Sequence, residues 1–156
     1  MSHRGIRGFY LVLEKIEEKL LADENCNTVT TGDITEVDLN KQTIFPLAHI
    51  IINQVSQEEQ VLRFNVTILT MDVVDFNKAE TTDVFTGNNN EQDILNTQLG
   101  VVNKLIAVLR RGNLHQDLYQ LDGNANCEPF YERFENRLAG WASTFDVLIY
   151  NDITIC

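Results

Sequence analysis

Three aspartates, Asp72, Asp75 and Asp83, are close enough in the chain to act together. Carboxylates brought side by side could hold a divalent cation and activate water, as in a metal-dependent hydrolase. Asp72 ends an alternating apolar run and the other two fall in a polar stretch, so a solvated acidic rim is the competing reading. His49 could serve as a general base, but no motif places a serine or cysteine beside it, and a hydrogen-bonded strand histidine explains it as well. Asp122-Gly123-Asn124-Ala125-Asn126 offers oxygens at alternate positions, like a calcium loop. It lacks the central glycine and the terminal glutamate of an EF-hand, and a plain turn accounts for it. Asn65-Val66-Thr67 has the spacing of a glycosylation acceptor but lies inside a strand-like run. Trp141 reads as a packing residue, and Cys156 has no cationic neighbour in sequence to activate its thiol. The sequence contains no G-x-S-x-G, H-E-x-x-H, Walker A or G-x-G-x-x-G motif. We therefore expect no catalytic residues, no metal and no cofactor.

The elements that must position these residues follow from periodicity. Ile6, Phe9, Tyr10, Leu13, Ile16, Leu20 and Leu21 recur at helical steps and predict an amphipathic first helix ending near Asp23–Thr28. Thr28–Thr31 and Thr35–Leu39 read as short strands around a Gly32-Asp33 turn. Leu47–Val55 and Gln60–Val74 read as a long antiparallel hairpin. Pro46 marks its start, since proline cannot donate to a central ladder. In the second strand Leu62, Phe64, Val66 and Ile68 share one face, with Arg63, Asn65, Thr67 and Leu69 on the other. Asp75–Asn90 reads as a long polar loop. Ile94, Leu95, Leu99, Val102, Leu105, Ile106 and Leu109 predict a second helix over Glu91–Arg111, capped by Asn90 and Gly112. Beyond it come a short strand at Asp117–Leu121, a turn or loop over Leu121–Glu128, and strands at Phe130–Leu138 and Trp141–Ile149. Gly140 is expected at a turn or bulge between the last two. Short connections imply antiparallel strands. The expectation is one α+β domain over residues 1–156, a mostly antiparallel sheet covered on one face by two helices.

Composition narrows the function. At 156 residues the chain can bury roughly 70% of its unfolded surface around one core. The net charge of −11, from 12 Lys+Arg against 23 Asp+Glu, disfavours binding to nucleic-acid backbones and anionic membranes. No apolar run approaches the ~20 residues of a membrane span, and the first residues lack a signal-peptide core. Cys26, Cys127 and Cys156 are odd in number and widely spaced, as are His3, His49 and His115, which argues against a disulfide framework and a zinc site. A cytoplasmic origin follows, with a virion as a possible final location.

The segment Pro129-Phe-Tyr-Glu-Arg-Phe-Glu-Asn-Arg-Leu-Ala-Gly-Trp141, the alternating strand after it, Asn151-Asp152 and the terminal Cys156 resemble the ends of phage tail terminator (tail completion) proteins. The order of helix, hairpin, helix and strands is similar to that family across nearly the whole chain. The resemblance implies a structural virion protein of the tail and neck, without catalytic residues. Its subunits would form a ring, a homohexamer, that caps the head-proximal end of the tail tube and joins it to a neck or connector protein. DNA would pass through the lumen without specific binding, which an acidic surface permits. Candidate contact residues, read from the chain itself, are Asp75, Phe76, Asn77, Thr82, Val84, Phe85 and Asn88 of the polar loop, and Arg110 and Arg111 at the end of the second helix. The two-sided apolarity of Leu47–Val74 points to a helix on one face and a partner on the other, or to burial on both. The alternatives are another head–tail connector or neck protein, a monomeric acidic binding module for a basic partner, and a small metal-dependent hydrolase using Asp72, Asp75 or His49.

Overall fold

The structure, a computed structural model, describes residues 4–33, 44–74, 91–112, 119–133 and 138–150. Its elements are α1 (Arg4–Leu21), β1 (Thr28–Thr31), β2 (Leu47–Gln57), β3 (Val61–Val73), α2 (Glu91–Arg111), β4 (Tyr119–Arg133) and β5 (Leu138–Tyr150). The strands form one sheet in the order β1-β2-β3-β5-β4, antiparallel except at β1–β2. Both helices pack on the same face, α2 over β3, β5 and β4, and α1 against β1, β5 and α2. The expected α+β class, single sheet and helical layer are all present.

The phase of α1 differs from the expected stripe. The buried line is Gly8, Val12, Ile16 and Leu20, one residue every turn, whereas Phe9, Tyr10 and Leu21 are 50%, 69% and 47% exposed. Gly8 sets this phase. A Cβ there would lie 2.9 Å from the end of Ile149 and 3.2 Å from that of Leu62, so the absence of a side chain brings the helix backbone down onto β5 and β3. Counting apolar residues weighted the aromatics and passed over the glycine.

α2 follows the expected bounds. Ile94, Val101, Val102, Leu105 and Leu109 are buried, and the Gly112 N–H donates to the Val108 carbonyl at 3.1 Å to close the helix. Leu99, expected within the apolar stripe, is 38% exposed.

β2 and β3 form the expected hairpin, with Ile50 opposite Ile68 and a register shift after Ile52. Leu62, Phe64, Val66 and Ile68 pack under the helices with Phe145, Val147 and Ile149 of β5. Burying one such side chain contributes about 1.5–3 kcal/mol, so this layer holds the domain together. A second cluster of Phe45, Leu47, Met71, Phe130 and Leu138 falls on the opposite face by strand alternation. Both faces of the hairpin are therefore apolar at this end.

Three strand expectations need correction. β1 pairs with β2 in parallel, Thr28 opposite Leu47 and Thr31 opposite Ile50. The segment 32–46 between them is long enough for the crossover that parallel pairing needs. It starts at Gly32 (φ 97°), whose N–H donates to the Ile50 carbonyl. The strand expected over Thr35–Leu39 lies outside the described residues. The loop expected over Leu121–Glu128 is instead the middle of β4. Its pairing jumps from Asp122–Asp146 to Asn126–Thr144, and Gly123 takes a left-handed conformation (φ 70°). The turn chemistry is there, spent on a bulge within one strand. Gly140 is not at a turn between two strands, but the expected bulge is beside it: the β4–β5 register shifts between Phe130, opposite Gly140, and Arg133, opposite Leu138. It sits inside β5 between Met71 and Phe130, and a Cβ on it would fall on the Thr70 carbonyl oxygen and 2.8 Å from Met71 Cα. Of the stretch expected as one strand, Phe130–Leu138, residues 130–133 end β4 and Leu138 opens β5, and residues 134–137 lie outside the described residues.

Candidate assembly surfaces

The helix-free face of the sheet is polar where Arg63, Asn65 and Thr67 alternate along β3, and apolar at the end that carries Leu47, Met71 and Leu138. Arg63 is its hub. The guanidinium donates to Asp122 of β4 and to Glu58 Oε1 at 3.2 Å, and lies 3.5 Å from Asp146 Oδ2 of β5. These partners, Asp122 first, push its pKa upward, so it is a permanent cation. Asn65 Nδ2 donates to Asp146 Oδ1 at 2.8 Å, Asn53 Nδ2 to Asn65 Oδ1 and Thr67 Oγ1, and Thr67 and Thr144 hydroxyls are 3.0 Å apart. One hydrogen-bonded ladder thus crosses β2, β3, β5 and β4. Three carboxylates around one guanidinium leave it net acidic. The Asn65 and Thr67 side chains are engaged within it, while Val66 between them is buried in the core on the other face.

His49 is fully buried. Its Nε2 donates to the Gly32 carbonyl at 2.7 Å, which leaves Nδ1 to accept from the Thr30 hydroxyl at 2.6 Å. Burial pushes its pKa below the ordinary histidine value, with the Gly32 carbonyl and Asp33 opposing. Both ring nitrogens tie β2 to β1 and to the turn that follows it. The competing strand-histidine reading is the one this geometry fits.

Asp72 is half-buried on β3, accepts from the Val73 N–H at 2.8 Å, and has its pKa raised by burial. Asp75 and Asp83 lie outside the described residues. Among the described residues, no three His, Cys, Asp or Glu side chains converge as metal ligands. Asp122, first residue of the calcium-like stretch, is committed to Arg63. Trp141 packs under α2 and donates from Nε1 to the Leu95 carbonyl at 2.7 Å. Burial, aided by Asp23, pushes the Cys26 thiol up to about 11, while Cys127 is half-exposed on β4. Asp23, almost fully buried, accepts from the Asn25 N–H at 2.9 Å and pairs with Lys104 Nζ at 3.3 Å, joining the end of α1 to α2. The Lys104 contact is an ion pair without a well-directed hydrogen bond.

Of the expected contact residues, Arg110 and Arg111 are exposed on the last turn of α2, and Arg110 Nη2 donates to the Gly123 carbonyl at 3.4 Å. Asp75, Phe76, Asn77, Thr82, Val84, Phe85 and Asn88 lie outside the described residues. Sequence reasoning missed two surfaces. Beside α2 runs a groove of about 420 Å³, lined by Leu99, Gly100, Asn103, Ile106 and Cys127. On α1 the exposed aromatics Phe9 and Tyr10 meet edge to face, ring centroids 6.1 Å apart. The signal available beforehand was Gly100 in the middle of a helix, a residue that needs a reason there.

No described helix is long and apolar enough to cross a membrane. No protein-family model and no curated protein matches the chain.

Proposed function

We propose that this chain is a structural subunit of a phage tail, a tail terminator whose copies form a ring on the head-proximal end of the tail tube and join it to the neck. The observation that carries this reading is the element order α1, β2–β3 hairpin, α2, β4–β5 hairpin, with both helices on one face and a polar, net-acidic ladder on the other. Such a face suits a wall that DNA slides past, because carboxylates offer phosphates no hold. The C-terminal resemblance to tail terminators points the same way. The tail and neck of the virion are then the protein's working location, and its partners are further copies, the tube protein and the neck or connector protein.

The test is a capping assay. Tail-tube protein polymerised with this chain should give tubes that stop growing and carry a ring at one end in electron micrographs. Tubes that elongate unchanged at saturating protein would sink the proposal. Light scattering should find a species near six copies of 17.8 kDa, about 107 kDa, that grows with concentration.

A further inference from the structure

Two stripes on the outer faces of the helices have the same spacing and opposite character. On α1, Tyr10, Glu14, Glu17 and Leu21 follow one another at steps of four, three and four residues. On α2, Leu99, Asn103, Ile106 and Arg110 do the same. Residues at such steps share one helix face. Each stripe covers eleven residue steps from end to end, about 16 Å of helix. Tyr10, Glu14, Leu21, Leu99 and Arg110 are all exposed, and both leucines are large apolar side chains left without cover among the described residues. The α1 stripe carries two carboxylates and no cation. The α2 stripe carries a cation and no carboxylate, an exception on a chain of net charge −11.

The two stripes cannot meet within one chain. α1 and α2 already touch through other faces, and both bury their apolar lines on the same sheet. We propose that the α1 stripe of one copy lies antiparallel in the α2 groove of a second copy. In that register Leu21 enters the notch at Leu99 and Gly100. Gly100 has open space where a side chain would be, with nothing within 4 Å of its Cβ position. At the other end Tyr10 covers the Arg110 guanidinium, a cation over an aromatic face, with Glu14 one turn away as its counter-charge. A parallel register would instead set Leu21 against Arg110 and lose both matches. Every copy then has one stripe of each kind to offer. The contact is head-to-tail, and head-to-tail contacts close into rings or run on as filaments. The inference rests on the assembly reading above and names the surface through which copies meet.

The experiment mixes two single variants of the full chain, both with Cys127→Ser and Cys156→Ser. One carries Leu21→Cys and the other Leu99→Cys, each at an exposed position that leaves the core intact. With oxidised glutathione as the oxidant, the mixture should give a covalent dimer that neither variant alone gives in comparable yield. Tyr10→Cys mixed with Leu99→Cys is the register control and should give little. Arg110→Glu should weaken self-association about tenfold, and adding Glu14→Arg should restore part of it. Equal yields from the two pairings would mean random collision and overturn the proposal. Assembly by light scattering without the Leu21→Cys and Leu99→Cys crosslink would overturn it and leave the ring standing. Loss of tube capping with the crosslink intact would count against the tail-terminator reading and support the docking. A Leu21→Cys variant that assembles normally but no longer binds tubes would assign the α1 stripe to the tube protein and overturn the docking.

Discussion

Replacing His49 by leucine should flatten the acid limb of the protein's stability curve. The neutral ring donates through Nε2 to Gly32 and accepts through Nδ1 from Thr30. Protonation places a charge where the side chain has no exposure. Burial holds the folded-state pKa below the unfolded value of 6.5, with the Gly32 carbonyl and Asp33 opposing it. The sign follows from linkage. A depressed pKa means that the unfolded chain binds more protons below pH 6.5, so stability is complete above that pH and falls as the solution is acidified. One extra proton taken up on unfolding corresponds to at most about 1.4 kcal/mol per pH unit. Against a total of roughly 5–15 kcal/mol that is a large fraction. At pH 8 the leucine variant forfeits two hydrogen bonds, about 1–3 kcal/mol, offset in part by the added apolar contact. Urea unfolding of both proteins at pH 8, 7, 6 and 5 measures this, and the difference between them removes the titration of all other groups. The gap should be largest at pH 8 and shrink steadily below pH 6.5. Two curves that stay parallel from pH 7 to pH 5 would refute the reasoning.

The glycines give a paired prediction. Gly100→Ala should stabilise the monomer by about 0.5–1 kcal/mol, since the position is helical and nothing lies near its Cβ. Gly140→Ala should cost on the order of 3 kcal/mol or prevent folding, because its Cβ meets the β3 backbone, which cannot swing aside; thermal melts separate the two outcomes. In the native protein at pH 8, iodoacetamide should modify Cys127 well before Cys26, whose thiol is buried and pushed up to about 11; mass spectrometry of the peptides reads this directly. Phe64→Ala should lower stability by about 3–5 kcal/mol, since Phe64 is buried in the layer between sheet and helices; the urea midpoint should fall accordingly.

Much of the architecture was legible where the signal is local. The bounds of α2 followed from its periodicity and from Gly112, both contained within a few turns of chain. The β2–β3 hairpin and the inward set of Leu62, Phe64, Val66 and Ile68 followed from alternation. What failed was non-local. The partner and direction of β1 depend on where β2 lies, and nothing within Thr28–Thr31 encodes that. The bulge in β4 looks like a strand end until β5 and Arg63 hold both sides of it in the sheet. The site was less legible than the fold. Arg63 was visible as a polar position in a strand, but its three carboxylate partners come from the turn after β2 and from two strands far along the chain.

The sequence by itself determined the class of the domain, its helix and hairpin spans, and its acidic surface, because periodicity, caps and charge are properties of neighbouring residues. Tertiary structure alone decided which face of α1 is free. The apolar residues of that helix cover more than one face, and the close approach permitted at Gly8 selects the one that meets β5. That choice leaves Tyr10 and Leu21 in solvent, and with them a surface whose counterpart on α2 exists only once the helix lies beside the Cys127 strand.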